Sequence, residues 1–233
     1  GVRDDREQQM HHVGCGPKCS VCDQAKRTRK QRRKTKNKNK NKNHVMPEVK
    51  PKFGESCTCD PMTMLVDDED DPLYGDPNVD PASTAVVMKD RGTGYRDLFP
   101  KAMKSHACTV EAFNEWSGKD KVKEMYTDNG PELLSACRVK KGPNPTSTQG
   151  IAATNHEAER TVRECKEGIR CNIAQSGLAP RAWRGVAGRH WCLARNTMTD
   201  SDGYTSWFRW NSRPFEGLRI PFGAAVRYMP ILE

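Results

Sequence analysis

The sequence is poor in apolar residues. Only 35% of its 233 residues are hydrophobic and the mean hydropathy is −0.87, which is low for a chain that is packed throughout. No apolar run approaches the roughly 18 residues of a membrane-spanning helix, and no signal-peptide pattern opens the chain. We therefore expect a soluble, intracellular protein with no membrane partner. The opening Gly1-Val2 indicates a fragment of a longer polyprotein.

Acidic residues are fewer than basic ones, 30 against 39, which gives a net charge of +9 and favours a polyanionic partner such as nucleic acid. The excess is concentrated at residues 26–42, which hold eleven basic residues and no acidic one. This run predicts a disordered linker that contacts phosphates through Lys30, Arg32 and Arg33, or alternatively a solvated tether or nuclear-localisation patch. The acidic, proline-rich stretch 66–81 is typical of a surface loop.

A disulfide framework is also missing, because the ten cysteines are irregularly spaced along a long chain. Reduced thiols with one metal site fit this pattern better. The pair Cys19-x2-Cys22 has the spacing of a zinc knuckle, and His11, His12 and Cys15 stand close by. The alternative is a set of free thiols in a disordered tail.

Between the charged stretches the pattern becomes that of a folded domain. Residues 56–60 and 83–100 predict three strands, and His106–Gly118 predicts a helix that ends at its glycine. Residues 124–136 predict a strand followed by a helix, and two more helices are expected at 155–177 and 180–195. The order β-β-β-α-β-α-α favours an α/β domain with a mixed sheet.

Three carboxylates occupy suggestive places in this pattern. Asp60 and Asp128 each follow a strand, and Glu159 lies at the edge of the core face of the long helix. Asp128 is alternatively a turn residue, and Glu159 alternatively pairs with Arg163 at i,i+4. If the three side chains meet, their repulsion requires cations, and carboxylate oxygens suit Mg²⁺ or Mn²⁺.

Several segments resemble the integrases of retroviruses and LTR retrotransposons, especially those of the copia type. The segments are TDNGPEL and TSTQGIAATNHEAERTVRE, then FGESCTCD, WRGVAGRHWCLARN and SRPFEGLRIPFGAAVRYMP. The resemblance covers about residues 50 to 230 and implies an RNase H-like fold, a mixed five-stranded sheet with flanking helices. It implies a small zinc-binding segment at 1–25, a linker at 26–49, a catalytic core at 50–199 and a C-terminal extension at 200–233.

The same resemblance implies a function and a set of site residues. Asp60, Asp128 and Glu159 would form a D,D,E triad that holds two Mg²⁺ or Mn²⁺ ions, processes the 3′ ends of element DNA and joins them to target DNA. It also implies a homo-multimer on DNA, located in the nucleus and in cytoplasmic virus-like particles. The expected phosphate contacts of the long helix are Arg160, Arg163, Lys166 and Arg170.

The chain departs from the family pattern at identifiable positions. Residues 7–9 read Glu-Gln-Gln where a first zinc-binding histidine is expected, so the zinc ligands become His12, Cys15, Cys19 and Cys22. Glu157 competes with Glu159, but helical geometry turns it away. The step from Asp128 to Glu159 is short, and Gln149 stands where proline is typical. The alternatives are therefore an inactive integrase remnant that binds nucleic acid, or a related RNase H-like nuclease.

Overall fold

The computed structural model describes residues 10–12, 19–25, 52–64, 82–118, 122–140 and 156–226. Its centre is a sheet with the strand order β3-β2-β1-β4, formed by β1 (Cys57–Thr63), β2 (Thr84–Asp90), β3 (Arg96–Lys101) and β4 (Met125–Thr127). Strands β1, β2 and β3 are antiparallel neighbours, whereas β4 runs parallel to β1. The predicted mixed sheet is thus confirmed with four strands in the described residues, and the fifth predicted strand is not confirmed.

Helices cover both faces of the sheet. In chain order they are α1 (Ser20–Ala25), α2 (His106–Ser117), α3 (Pro131–Lys140), α4 (His156–Ser176), α5 (Pro180–Asn196) and α6 (Ser206–Asn211). Gly118 and Gly177 end α2 and α4 as predicted, with φ of 50° and 68° that glycine adopts without steric cost. No helix among the described residues is long and apolar enough to cross a membrane.

Two apolar cores follow from the alternation of side chains along the strands. Val86, Met88 and Phe99 face α2 and α3, where Phe113 and Leu133 complete one cluster. The other faces of the same strands, together with Met62 of β1, pack on α4 and α5 and complete the second cluster. That cluster includes Ala85, Val87, Leu98, Cys165, Ile169 and Trp191.

The helices α4 and α5 approach each other closely because α4 carries a glycine at the crossing. A Cβ atom at Gly168 would lie 2.3 Å from the indole ring of Trp191. The missing side chain therefore gives Trp191 the space in which it is almost completely buried. At the C-terminal end of α5, the side-chain amide of Asn196 accepts a hydrogen bond from the backbone N–H of Arg96 and donates one to its backbone oxygen. Helix α5 therefore satisfies backbone hydrogen bonds of the edge strand β3.

Two sets of predictions lie outside the described residues. The basic linker, with Lys30, Arg32 and Arg33, is one, and the acidic stretch 66–81 is the other. Cys15 and Gln149 also lie outside. On the C-terminal side, the described part of the extension packs on the core, since the Trp210 ring lies 4.2 Å from that of Tyr95 and 4.8 Å from that of Phe53.

Candidate active site and His/Cys cluster

Asp60 in β1 and Asp128 directly after β4 lie beside each other. The parallel register pairs Cys57 with Met125 and Cys59 with Thr127, so the next residue on each strand is an aspartate. Neighbouring strands lie about 4.8 Å apart, and the two backbones are therefore close at this point. Asp60 is half-buried within β1, whereas Asp128 is exposed at the turn after β4. The sheet thus brings together two carboxylates that are 68 positions apart in sequence.

Glu159 approaches the same place from the first turn of α4. Alternation puts Asp60 on the sheet face of Met62, which is the face that α4 covers. Burial raises the pKa of Asp60 to about 6, and the negative charges of Asp128 and then Glu159 contribute to the increase. Asp128 and Glu159 are therefore both within electrostatic reach of Asp60, and both are open to solvent.

Glu157, the competing carboxylate, is engaged elsewhere. Its side chain accepts hydrogen bonds from Lys89 Nζ at 2.8 Å and from Arg91 Nε at 3.1 Å. Burial alone would raise the pKa of Glu157, but the hydrogen bonds and charges of these two cations outweigh it and lower the pKa. Glu157 is thus paired with two cations at the end of β2.

Two residues that sequence reasoning missed also border the three carboxylates. Lys104 Nζ lies 3.0 Å from Oε1 of Glu132, in the first turn of α3. The positive charge of Lys104 counteracts the increase in the pKa of Asp60, as does that of Lys166. A fourth carboxylate is therefore present at this edge with its own cation, and no motif in the sequence signalled the pair.

The predicted basic stripe lies on the surface of α4, where Arg160, Arg163, Lys166 and Arg170 are all exposed. Arg160 Nε is 3.0 Å from Glu164 Oε1, so the i,i+4 pair observed at this end of the described helix is not the alternative pair of Glu159 with Arg163. Glu164 also binds Arg96 at 2.7 Å. The positive charge of Arg160 in this stripe is therefore already compensated by Glu164.

Three of the predicted zinc ligands, His12, Cys19 and Cys22, lie at the opposite end of α4. Within the described residues, one group of three or more His, Cys, Asp or Glu has all its ligand atoms within 4.8 Å of one another, and it consists of His12, Cys22 and Cys171. Cys19 Sγ lies 3.9 Å from His12 Nδ1. Cys171 belongs to α4 and was not predicted, because no local spacing connects it with the N-terminal segment.

The oxygen and the sulfur donors suit different cations. Asp60, Asp128 and Glu159 offer carboxylate oxygens, and burial together with the charges of Asp128 and Glu159 disfavours the charged form of Asp60, which a divalent cation would stabilise. These are donors that Mg²⁺ and Mn²⁺ prefer, whereas imidazole and thiolate suit Zn²⁺. The arrangement therefore fits metal-assisted phosphoryl transfer at the exposed end of α4 and a structural metal at the buried end.

The fold resembles that of known integrases. A chain of the simian T-cell lymphotropic virus intasome in complex with PP2A regulatory subunit B56 gamma matches with a TM-score of 0.50 and 15% identity, over 77% of this chain and 63% of that one. The catalytic core domain of BIV integrase matches with a TM-score of 0.49 and 11% identity, over 68% and 95% of the two chains. The HTLV-2 integrase catalytic core domain in complex with magnesium, in its dimeric form, gives 0.48 and 15%, over 68% and 97%.

The first of these matches shows an α/β fold like that of the intasome chain. The chain spans 63% of the length of the intasome chain that it matches. No protein-family model matches the sequence, and no curated protein does either.

Proposed function

We propose that this chain is an integrase of the copia type, which processes the 3′ ends of element DNA and joins them to target DNA. The observation that carries the proposal is the parallel register of β1 and β4, which brings Asp60 beside Asp128, while the negative charges of Asp128 and Glu159 both reach Asp60. The ordered sequence motifs support the same reading, and the integrase-like fold agrees with it. The proposed division into a zinc segment (1–25), linker (26–49), core (50–199) and extension (200–233) follows the motifs.

The proposed mechanism assigns the three carboxylates to metal binding. When bound, two Mg²⁺ or Mn²⁺ ions would activate water or a 3′-hydroxyl and stabilise the leaving oxygen of an in-line phosphoryl transfer. Asp60 contributes a fixed ligand because its backbone lies within a strand, while Asp128 and Glu159 close the site from a turn and a helix. A rigid strand would keep the metal ligands, and with them the reacting phosphate, in a fixed orientation. The two exposed carboxylates leave the site open to the phosphate.

DNA would approach along α4. The basic side chains of that helix are exposed, and the positive charge of one of them, Lys166, acts on the pKa of Asp60. Contacts from such side chains to phosphates position DNA without reading its sequence. The basic linker, with Lys30, Arg32 and Arg33, adds a second phosphate-binding segment in this proposal. A homo-multimer acting on both DNA ends, in the nucleus and in virus-like particles, completes it.

The test is an assay of Mn²⁺-dependent nicking and strand joining on plasmid DNA, with Glu159→Gln compared with Glu157→Gln. We expect the activity of Glu159→Gln to be at least about 100-fold lower than that of the wild type, because a ligand of the metal site is lost. The control changes the same residue type in the same helical turn, and its partly exposed ion pairs are worth about 0–1 kcal/mol. We therefore expect Glu157→Gln to keep at least about half of the activity.

The products separate the alternatives. Joined molecules in the wild-type reaction support an integrase, whereas nicks without joining indicate a nuclease of the same fold. Salt-sensitive binding without any nicking would indicate an inactive remnant. Equal activity in Glu159→Gln and the wild type would refute the assignment of Glu159.

A further inference from the structure

The described N-terminal residues are packed on the C-terminal half of α4 and on α5. Trp191 Nε1 of α5 donates a hydrogen bond to the backbone oxygen of His11 at 3.1 Å. His11 and His12 are each only 2% exposed, which is rare for histidine unless the ring is bound to a partner. This short segment is therefore attached to the core near residues 171–175.

Gln175 fixes the tautomer of His12. The Nε2 atom of His12 lies 2.6 Å from Oε1 of Gln175, an oxygen that only accepts hydrogen bonds, so Nε2 carries the donated proton. In the neutral ring, Nδ1 is then the atom with the lone pair. A hydrogen bond of this kind on the remote nitrogen is the usual support of a metal-binding histidine.

The Nδ1 atom faces sulfur atoms at ligand-to-ligand distances. Cys22 Sγ lies 3.4 Å from it and Cys19 Sγ lies 3.9 Å from it. A tetrahedral zinc ion with bonds of about 2.3 Å to sulfur and about 2.0 Å to nitrogen separates such atoms by about 3.6 Å. The backbone N–H of Cys22 also donates to Cys19 Sγ at 3.4 Å, which stabilises a thiolate there.

Cys171 supplies a third sulfur from α4. Its Sγ, a ring nitrogen of His12 and Cys22 Sγ all lie within 4.8 Å of one another, and its side chain is completely buried. Cys171 precedes Gln175 by one helical turn, so the same face of α4 offers both a sulfur and the hydrogen-bond partner of the histidine. Two independent contacts therefore connect this face with His12.

We propose that Cys171 is a zinc ligand, and that His12, Cys19, Cys22 and Cys171 form a Cys3His site that joins the N-terminal segment to the core helix. In this site Cys171 takes the place of the first histidine that residues 7–9 lack, and Cys15 is not required. Zinc binding then contributes its free energy to the docking of the N-terminal segment on α4. The inference does not depend on integrase activity, because its evidence and its test concern metal binding alone.

Cobalt substitution of the full chain tests the ligand set. The sulfur-to-cobalt charge-transfer band grows with the number of thiolate ligands, and zinc content is measured on the same samples. We expect Cys171→Ser to lose about one third of the band and to weaken zinc binding at least about 100-fold. The matched control is Cys165→Ser, since Cys165 is equally buried on α4 but its Sγ lies 4.0 Å from that of Cys192. It should keep the full band.

A second variant keeps the test decisive if Cys171→Ser fails to fold. Cys15→Ser removes the competing ligand, and the proposal requires its cobalt spectrum and zinc content to equal those of the wild type. Loss of the band in Cys15→Ser would overturn the proposal, as would an unchanged band in a folded Cys171→Ser or a wild-type chain that binds no zinc. Chelation of zinc should in addition speed hydrogen exchange at residues 19–25, as the docked segment is released.

Discussion

The two ends of α4 differ in solvent exposure and in the type of ligand atom that they offer to a cation. Glu159 lies in the first turn, exposed and close to two further carboxylates, whereas Cys171 is buried among a histidine and other cysteines. Twelve residues, or about 18 Å of helix, separate the two positions. The first environment accumulates negative charge on hard oxygen donors, while the second offers soft donors that are shielded from water.

This difference shows how one helix can serve chemistry and architecture at once. A catalytic metal ion needs an open coordination position for the substrate. In the proposed catalytic site two of the three carboxylates are exposed, which leaves room for a substrate to enter. A structural zinc site is closed, and its ligands come from elements that the metal holds together. Burial, rather than a domain boundary, therefore separates the two proposed functions, and a mutation at one end should leave the other intact.

The largest effect should come from Asp60→Asn. It removes a proposed metal ligand, so we expect strand joining in Mn²⁺ to decrease at least about 100-fold. The cobalt band of the N-terminal cluster should not change, because Asp60 has no part in it. The matched control is Asp97→Asn, since Asp97 is a partly buried aspartate of β3, two strands away from β1 in the same sheet, and is bound to Arg189 at 3.5 Å. Loss of both activity and cobalt binding in Asp60→Asn would contradict the separation.

Local sequence signals predicted the elements that position the carboxylates. Periodic apolar residues and terminal glycines located α2 and α4, because caps and amphipathic faces are encoded within a few residues. The turn after β4 was predicted from Asp128 and the glycine that follows Asn129. The choice of Glu159 over Glu157 from helical geometry stays a prediction, and the ion pairs of Glu157 with Lys89 and Arg91 carried no signal in the sequence.

Long-range contacts were beyond the reach of the sequence. The contact of His12 with Gln175 depends on how the N-terminal segment packs on the core, and spacing along the chain contains no trace of it. For the same reason Lys104 and Glu132 were missed. On α5, Trp183 and Val186 are 41% and 53% exposed although both are apolar. Tertiary packing, rather than local propensity, decides such positions.

A smaller effect should appear in the pH dependence of stability. In the folded, metal-free chain the pKa of Asp60 is raised to about 6, so the folded state binds more protons than the unfolded state between the ordinary value of 3.8 and that value. The contribution of Asp60 is therefore unfavourable once the pH exceeds both values, and it disappears as the pH falls below 3.8. Asp60→Asn should remove it and stabilise the metal-free protein at pH 7.

The expected difference between Asp60→Asn and the wild type at pH 7 is about 1 to 2 kcal/mol, after a discount for solvent screening of the half-buried carboxyl. Urea unfolding at pH 4.5 and pH 7 without added Mg²⁺ measures it, and the difference should narrow at the lower pH. A constant difference would mean that the ionisation of Asp60 does not lower the stability of the metal-free protein. Burial also raises the pKa of Asp97, so Asp97→Asn should change the stability in the same direction without affecting Asp128 or Glu159.

The smallest effect should distinguish two cations of α4. Lys166 is exposed and its charge reaches Asp60, whereas Arg160 is already paired with Glu164. If DNA lies along this face, Lys166→Gln should weaken binding about 3- to 10-fold and reduce the slope of log K against log salt by about 0.9. Arg160→Gln should change both less, because Glu164 already compensates that charge. Fluorescence anisotropy on duplex DNA without Mg²⁺, repeated at several KCl concentrations, compares the two, and equal losses would exclude a binding path that favours Lys166.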